Sequence, residues 1–185
     1  MKLLLTLLFL CLCASYGFSD SKVSVMKLAE TQVKIPEIEI FNGREKTSLS
    51  AFNGKFILVN FWATWCAPCV REMASLDILA EQLADQNLVV VAISEDKGGF
   101  FEVKPFLEKL KLKNIIILYD TKGLAFPAYG LRGLPTTILI SPQGIVIARL
   151  EGEAVWNKNP LAEQIKTLIT ADVIENKISE DSPSR

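Results

Sequence analysis

Apolar and polar residues along the chain fall into segments that alternate between strand-like runs and helix-like spacing. Phe56-Ile57-Leu58-Val59-Asn60-Phe61-Trp62 is a nearly unbroken apolar run after Gly54. A strand buried on both faces at the centre of a parallel sheet reads this way. Met73, Leu76, Ala80 and Leu83 then recur at helical spacing, which predicts a helix opening near Ala67. Pro68 is tolerated there because first-turn amides need no intrahelical partner. Residues 88–93 form the next apolar strand, 101–112 a helix with Pro105 close to its start, and 114–119 another strand. Residues 123–129 make a short helical or irregular piece interrupted by Pro127, and 136–141 and 145–150 a hairpin across Pro142-Gln143-Gly144. Asn159-Pro160 introduces a last amphipathic helix through Leu161, Ile165, Leu168 and Ile169, as polar N-caps do. Upstream, 37–41 alternates, Asn42-Gly43 is a turn signal and 44–49 returns, so an N-terminal hairpin is expected.

No internal repeat and no second domain boundary interrupts this order. Strand–helix–strand units closed by a hairpin and a helix predict one three-layer α/β domain with a central mixed sheet over residues 35–170. Residues 20–34 are polar and irregular and read as a tether, and 171–185 as a polar tail, without fixed structure over 176–185. Residues 1–19 read as a signal peptide: Met1 and Lys2 make a positive start, an uncharged run over 3–18 follows, and Ser15, Gly17 and Ser19 offer a cleavage site. That run is shorter than the roughly 20 residues a membrane-spanning helix wants. The alternative is an uncleaved N-terminal anchor. Either way the domain is expected outside the cytoplasm.

The composition excludes several classes. The chain has 185 residues, 20 Lys+Arg against 21 Asp+Glu, and no histidine. The near-neutral balance supplies no basic footprint for nucleic acid. Without histidine there is no Ser-His-Asp or Cys-His pair, no HExxH metalloprotease and no mixed Cys/His zinc site. Of four cysteines, Cys11 and Cys13 lie in the N-terminal apolar run. The exported chain would keep only Cys66 and Cys69, too few for a disulfide scaffold or a four-thiolate zinc site.

These two form a C-x-x-C between the central apolar strand and the helix after it. Cys66 falls just before the helix, where unpaired amides and the positive end of the macrodipole stabilise a thiolate. Cys69, one turn further in, reaches the same sulfur but is more shielded. Attack by one thiolate and release by its neighbour is the two-step exchange of a dithiol oxidoreductase. A purely structural disulfide would close so short a loop that it would add little stability. A two-thiolate copper(I) site is the other alternative.

The stretch Phe61-Trp62-Ala63-Thr64-Trp65-Cys66-Ala67-Pro68-Cys69 resembles the active-site segment of thioredoxin-fold proteins, in particular the exported TlpA/ResA-type thiol–disulfide oxidoreductases. Gly133-Leu134-Pro135-Thr136-Thr137 resembles that family's cis-proline loop, and an αβ insertion, here 98–119, also marks the family against plain thioredoxin. The resemblance covers 35–170. It implies a thioredoxin-like fold with Cys66 as nucleophile and Cys69 as resolving thiol, and no cofactor beyond their disulfide. It implies a cis peptide at Pro135 that sets Leu134 beside the dithiol, with Trp65, Ala67 and Pro68 completing the substrate surface. Glu72 falls where ResA-like members carry an acid/base glutamate; by residue type alone it reads equally as a solvated helix carboxylate. Asn60 stands where cytoplasmic thioredoxins carry a buried aspartate, so the proton-accepting role passes to Glu72. Trp62 and Trp65 either pack around the dithiol or serve only the core.

Ala67-Pro68 contains no histidine or other cation to stabilise Cys66 strongly, unlike the DsbA-type oxidases, and this favours a reductant. The family resemblance implies disulfide-containing protein substrates, namely apocytochrome c or the assembly factors and subunits of copper sites and oxidases. It also implies electrons from a membrane carrier of the DsbD/CcdA kind and a place in the bacterial periplasm; no heptad run or obvious sticky edge appears in the sequence, so a monomer is expected. A disulfide-introducing oxidase is one alternative. A second is a copper(I) metallochaperone, although thioredoxin-fold copper carriers use C-x-x-x-C with a distant histidine. A peroxiredoxin would want a Thr-Pro-x-x-Cys, which does not occur.

Overall fold

The computed structural model describes residues 24–180, with side chains through 178. In chain order it contains β1 (Lys27–Leu28), β2 (Ile40–Phe41), β3 (Lys46–Thr47), a 3-10 turn (Leu49–Phe52), β4 (Phe56–Trp62), α1 (Ala67–Gln82) and β5 (Leu88–Ser94). There follow α2 (Gly99–Leu110), β6 (Ile116–Tyr119), α3 (Ala125–Ala128), β7 (Thr136–Ile140), β8 (Val146–Glu151) and α4 (Leu161–Glu180). The described strands join one sheet in the order β1-β8-β7-β4-β5-β6-β2-β3. β4, β5 and β6 are parallel; β7, β8 and β1 on one side and β2 and β3 on the other pair antiparallel.

β4 is buried along its whole length. Because side chains alternate across a strand, Phe56, Leu58 and Trp62 enter one core cluster, and Ile57, Val59 and Phe61 the other. The first cluster is covered by α1 through Met73, Leu76 and Leu79, by α2 through Val103, and by α4 through Leu161, Ile165 and Ile169. Strands added successively in one direction carry their crossover helices on one face, which is why α1 and α2 lie together. The opposite cover is thinner: Leu49 of the 3-10 turn and Ala125 and Tyr129 around α3 pack there, with the Phe61 and Tyr129 rings 5.2 Å apart.

The fold and its insertion stand as expected, with three corrections. The tether is not irregular throughout. Met26 is buried; its N–H donates to Gln164 Oε1 and its carbonyl accepts from Gln164 Nε2, both at 2.8 Å. β1 pairs with β8, and Lys34 bridges to Ile145. Two-residue pairings are too short to display alternation, so the sequence pattern does not announce them. The tail is also shorter than expected, because α4 continues to Glu180. Buried apolar residues end at Ile169, and Val173 and Ile174 beyond it are exposed, but extending a formed helix costs little per residue, and Asn176 Nδ2 donates to the Asp172 carbonyl at 2.8 Å. The N-terminal hairpin is reduced to β2 and β3, because Leu49 turns into the 3-10 segment. The signal segment and residues 181–185 lie outside the described residues.

Met26→Ala removes a buried side chain at the sheet's edge and is expected to cost about 2–4 kcal/mol. The denaturant midpoint of the oxidised protein measures it, and an unchanged midpoint would mean that this segment is not docked.

Candidate active site

The site begins where β4 ends. Residues 63–66 turn tightly, with the Cys66 N–H donating to the Ala63 carbonyl at 3.1 Å. Cys66 then caps α1: its backbone is extended (φ −91°, ψ 94°) and its sulfur accepts the Cys69 N–H at 3.4 Å. The orphan amides of a helix start therefore face this sulfur, as the strand–helix order requires. Cys66 and Cys69 are joined by a disulfide with an S–S distance of 2.07 Å. Cys66 keeps 6 % of its surface exposed and Cys69 none, so Cys66 is the sulfur an incoming group can meet. Around it Trp65 is 68 % exposed, Ala67 is exposed and Pro68 half-buried. Trp62 is wholly buried, so the tryptophan pair divides between surface and core.

The Leu134–Pro135 peptide is cis. Leu134 is half-buried and packs against the cluster that contains both cysteines. The Pro135 carbonyl accepts the Gly152 N–H at 2.9 Å. The two motifs, more than sixty residues apart in sequence, are thus brought to one end of the sheet.

Glu72 lies on the inner side of α1 and is 2 % exposed. Its Oε1 accepts from Asn60 Nδ2 of β4 at 2.8 Å. Its Oε2 accepts the Ala154 N–H at 2.9 Å and the Trp156 Nε1–H at 3.1 Å. Asn60 Nδ2 also donates to Thr137 Oγ1 of β7 at 2.9 Å. Burial pushes the Glu72 carboxyl up to about 7, against the lowering effect of Ala154, Trp156 and Asn60. The solvated-carboxylate alternative is therefore set aside. Outside it, Arg71 grips Glu153 through Nε and Nη2 at 2.9 and 2.6 Å, tying α1 to the loop that holds Glu72.

Sequence reasoning missed two residues that complete this end of the sheet. Asp96, two residues after the end of β5, is buried. Its Oδ2 accepts the Thr64 N–H at 2.9 Å and the Ser94 hydroxyl at 2.8 Å, and its Oδ1 accepts the Thr64 hydroxyl at 2.7 Å. It clamps the turn that delivers Cys66. An acid placed just beyond a buried parallel strand was the available signal, since functional groups gather beyond the carboxyl ends of such strands. Beside it, burial first, and then Asp120 and Asp96, push the Glu95 carboxyl up to about 8. Trp156 is the second omission. It is fully buried, and it stands alone between Val155 and Asn157 in a stretch without apolar period.

A helix that opens on Cys-x-x-Cys after the central strand of a mixed sheet, facing a cis-proline loop, defines a thioredoxin-fold protein. The comparisons agree. The model of the AhpC/TSA family matches residues 31–149. The thiol-disulfide oxidoreductase ResA of Bacillus thuringiensis subsp. konkukian is 30 % identical over 170 residues, which is 88 % of this chain and 93 % of that protein. The thioredoxin-like protein YneN of Bacillus subtilis is 38 % identical over 104 residues, 55 % of this chain and 59 % of its own. Among solved structures, a Chlorobium tepidum protein provisionally named thiol:disulfide interchange protein DsbE superposes with a TM-score of 0.68 at 25 % identity, over 77 % of this chain and 99 % of its own. The chain belongs to the AhpC/TSA family and, within it, to the TlpA/ResA-type thiol–disulfide oxidoreductases. Among the described residues no helix is long and apolar enough to cross a membrane, and no group of three or more His, Cys, Asp or Glu could hold a metal ion.

The raised acids set a pH dependence of stability. Glu72, lifted from 4.5 to about 7, and Glu95, lifted from 4.5 to about 8, bind a proton more tightly folded than unfolded. Their contribution is full below the unfolded value and is lost as pH rises through the folded one. The oxidised protein is expected to lose stability between about pH 4.5 and 8 from these two groups. Denaturant titrations at several pH values should show Glu72→Gln reducing the slope between about pH 4.5 and 7 while leaving the part between about 7 and 8, and Glu95→Gln reducing it over the whole range up to about 8; parallel slopes in all three proteins would refute it.

Proposed function

We propose that the chain is an exported disulfide reductase in which Cys66 attacks and Cys69 resolves. The observation that supports this best is the asymmetry of the pair: one sulfur at the mouth of a helix N-terminus, the other sealed beneath it in the same turn as a buried carboxylate. In the reduced protein the Cys66 thiolate attacks a substrate disulfide; the Cys66–substrate S–S bond forms and one substrate thiolate leaves. Glu72 accepts the Cys69 proton, and the Cys69 thiolate then attacks Cys66 Sγ. The Cys66–Cys69 bond forms, the second substrate sulfur leaves as thiolate, and two electrons have passed to the substrate. Trp65, Ala67 and Pro68 present one side of the docking surface and Leu134-Pro135 the other. The disulfide itself is the redox group, with no further cofactor.

The proposed setting is the bacterial periplasm, with residues 1–19 as signal or anchor and the protein acting as a monomer. A membrane carrier of the DsbD/CcdA kind returns the electrons. The proposed substrates are protein disulfides of apocytochrome c or of copper-site and oxidase assembly; the relationship to thiol-disulfide oxidoreductases supports disulfide-containing protein substrates as the class.

Equilibration of the Cys66–Cys69 couple with glutathione or dithiothreitol is expected to place it near the thioredoxin end, about −270 mV. A value near about −120 mV would make the protein an oxidase and reverse the proposed direction. Because Glu72 becomes a base as pH rises through about 7, wild-type resolution should accelerate through that range. Glu72→Gln should slow it about tenfold or more near neutrality. Identical turnover of the two proteins between about pH 6 and 9 would remove Glu72 from the mechanism.

A further inference from the structure

The donors around Glu72 are unevenly shared. A carboxylate oxygen offers two lone-pair sites. Oε2 fills both, with the Ala154 N–H at 2.9 Å and the Trp156 Nε1–H at 3.1 Å. Among the described residues Oε1 receives one donor, Asn60 Nδ2, at 2.8 Å. A proton on Oε2 would displace one of two donors that have no solvent to turn to, since Ala154 is 4 % exposed and Trp156 wholly buried. A buried donor left unpaired is costly.

The indole is also fixed from behind. The Trp156 N–H donates to Ser75 Oγ at 3.2 Å, and the Ser75 hydroxyl donates to the Glu72 carbonyl at 2.8 Å. Main chain and ring of Trp156 are therefore both hung from the turn of α1 that starts at Glu72. The same loop reaches the cis-proline segment through the Gly152 N–H.

We propose that Trp156 is a positioning residue for the proton that Glu72 exchanges: with the Ala154 amide it closes Oε2, leaving Oε1, on the Asn60 side, as the oxygen that takes up the proton and gives it back. This rests on the reading of Glu72 as the base for Cys69. The charged and titratable groups around the carboxylate are few. Glu153 of the same loop acts on it with like charge, and Arg71 of α1 is paired with Glu153. When reduced, Cys66 at the cap of α1 and Cys69 in its first turn are the titratable groups on that helix's start. β4 and β7 contribute the neutral Asn60 and Thr137. The donors on Glu72 lower its proton affinity against burial, so losing one should raise it.

Trp156→Phe keeps a ring and deletes the N–H. In single-turnover resolution of a Cys66 mixed disulfide by full-length protein, the inflection in the pH profile is expected to move up by about one unit, because a hydrogen bond to the charged form is lost. The rate at pH 7 should fall several-fold while the alkaline plateau is kept. The carboxyl carbon resonance of Glu72 should titrate with the same shift. Should Trp156→Phe fail to fold, 3-benzothienylalanine at position 156 retains the bicyclic shape with sulfur in place of N–H. A purely structural tryptophan would lower stability and leave the inflection unmoved, and that result, or a downward shift, overturns the proposal. Glu72→Gln separates the two levels. A profile unchanged by Glu72→Gln sinks the base assignment itself. A profile flattened by Glu72→Gln but unmoved by both replacements of Trp156 sinks only the positioning role.

Discussion

The structure turns on a carboxylate placed inside an apolar core without a cation. Taking a charged carboxyl out of water costs several kcal/mol even after relaxation, and the fold answers with three hydrogen bonds from separate segments rather than an ion pair. Asn60 comes from β4, and Ala154 and Trp156 come from the loop after β8. Burial still outweighs them, and Glu72 is left near 7 rather than near 4.5. A counter-charge would have held it ionised across the physiological range; an apolar pocket would have kept it protonated. Only the intermediate arrangement leaves a group able to change state beside a thiol.

That placement depends on β4 being covered on both faces. Its even-numbered residues point toward α1, and Asn60 interrupts them at the height of Glu72. The helix that carries the dithiol is thereby fixed in rotation as well as in position: Cys69, Glu72, Met73 and Leu76 face inward, and Cys66 stays at the rim. Asp96 fixes the remaining freedom by holding both polar groups of Thr64, two residues before the nucleophile. One helix start, one strand end and one clamp thus determine where the exposed sulfur lies. Proteins commonly concentrate functional groups on rigid elements in this way.

What could be read from the sequence divides along physical lines. β4, α1 and β5 were legible because period and burial coincide in them, and the dithiol because its chemistry needs the boundary between such a strand and helix. β1 was not, since Met26 is a single anchoring side chain and its other bonds are main-chain or amide contacts to Gln164. The last turns of α4 were not, since helix propagation needs no apolar face. Glu72 was ambiguous by type, because helical spacing says which face a residue is on only once its neighbours are known to be buried. Trp156 was invisible for a different reason: its partner is eighty-four positions away, and no local pattern encodes a bond across that separation.

The proposed direction of electron flow follows from what stabilises the Cys66 thiolate. A thiolate held by cations makes its dithiol easy to keep reduced and hence oxidising. Here the helix amides supply the stabilisation, through contacts such as Cys69 N–H to sulfur, while Ala67 and Pro68 bring no charge. Arg71, the cation next to Glu72 in α1, is committed to Glu153 by a two-pronged contact. With both guanidinium nitrogens of that contact directed at a loop carboxylate, the stabilisation on which the proposal rests is the field of a helix end, worth up to about 2 kcal/mol in a partly buried site. A strongly oxidising pair would want a cation at the sulfur, and the absence of one between the two cysteines is what supports the proposed reductase reading.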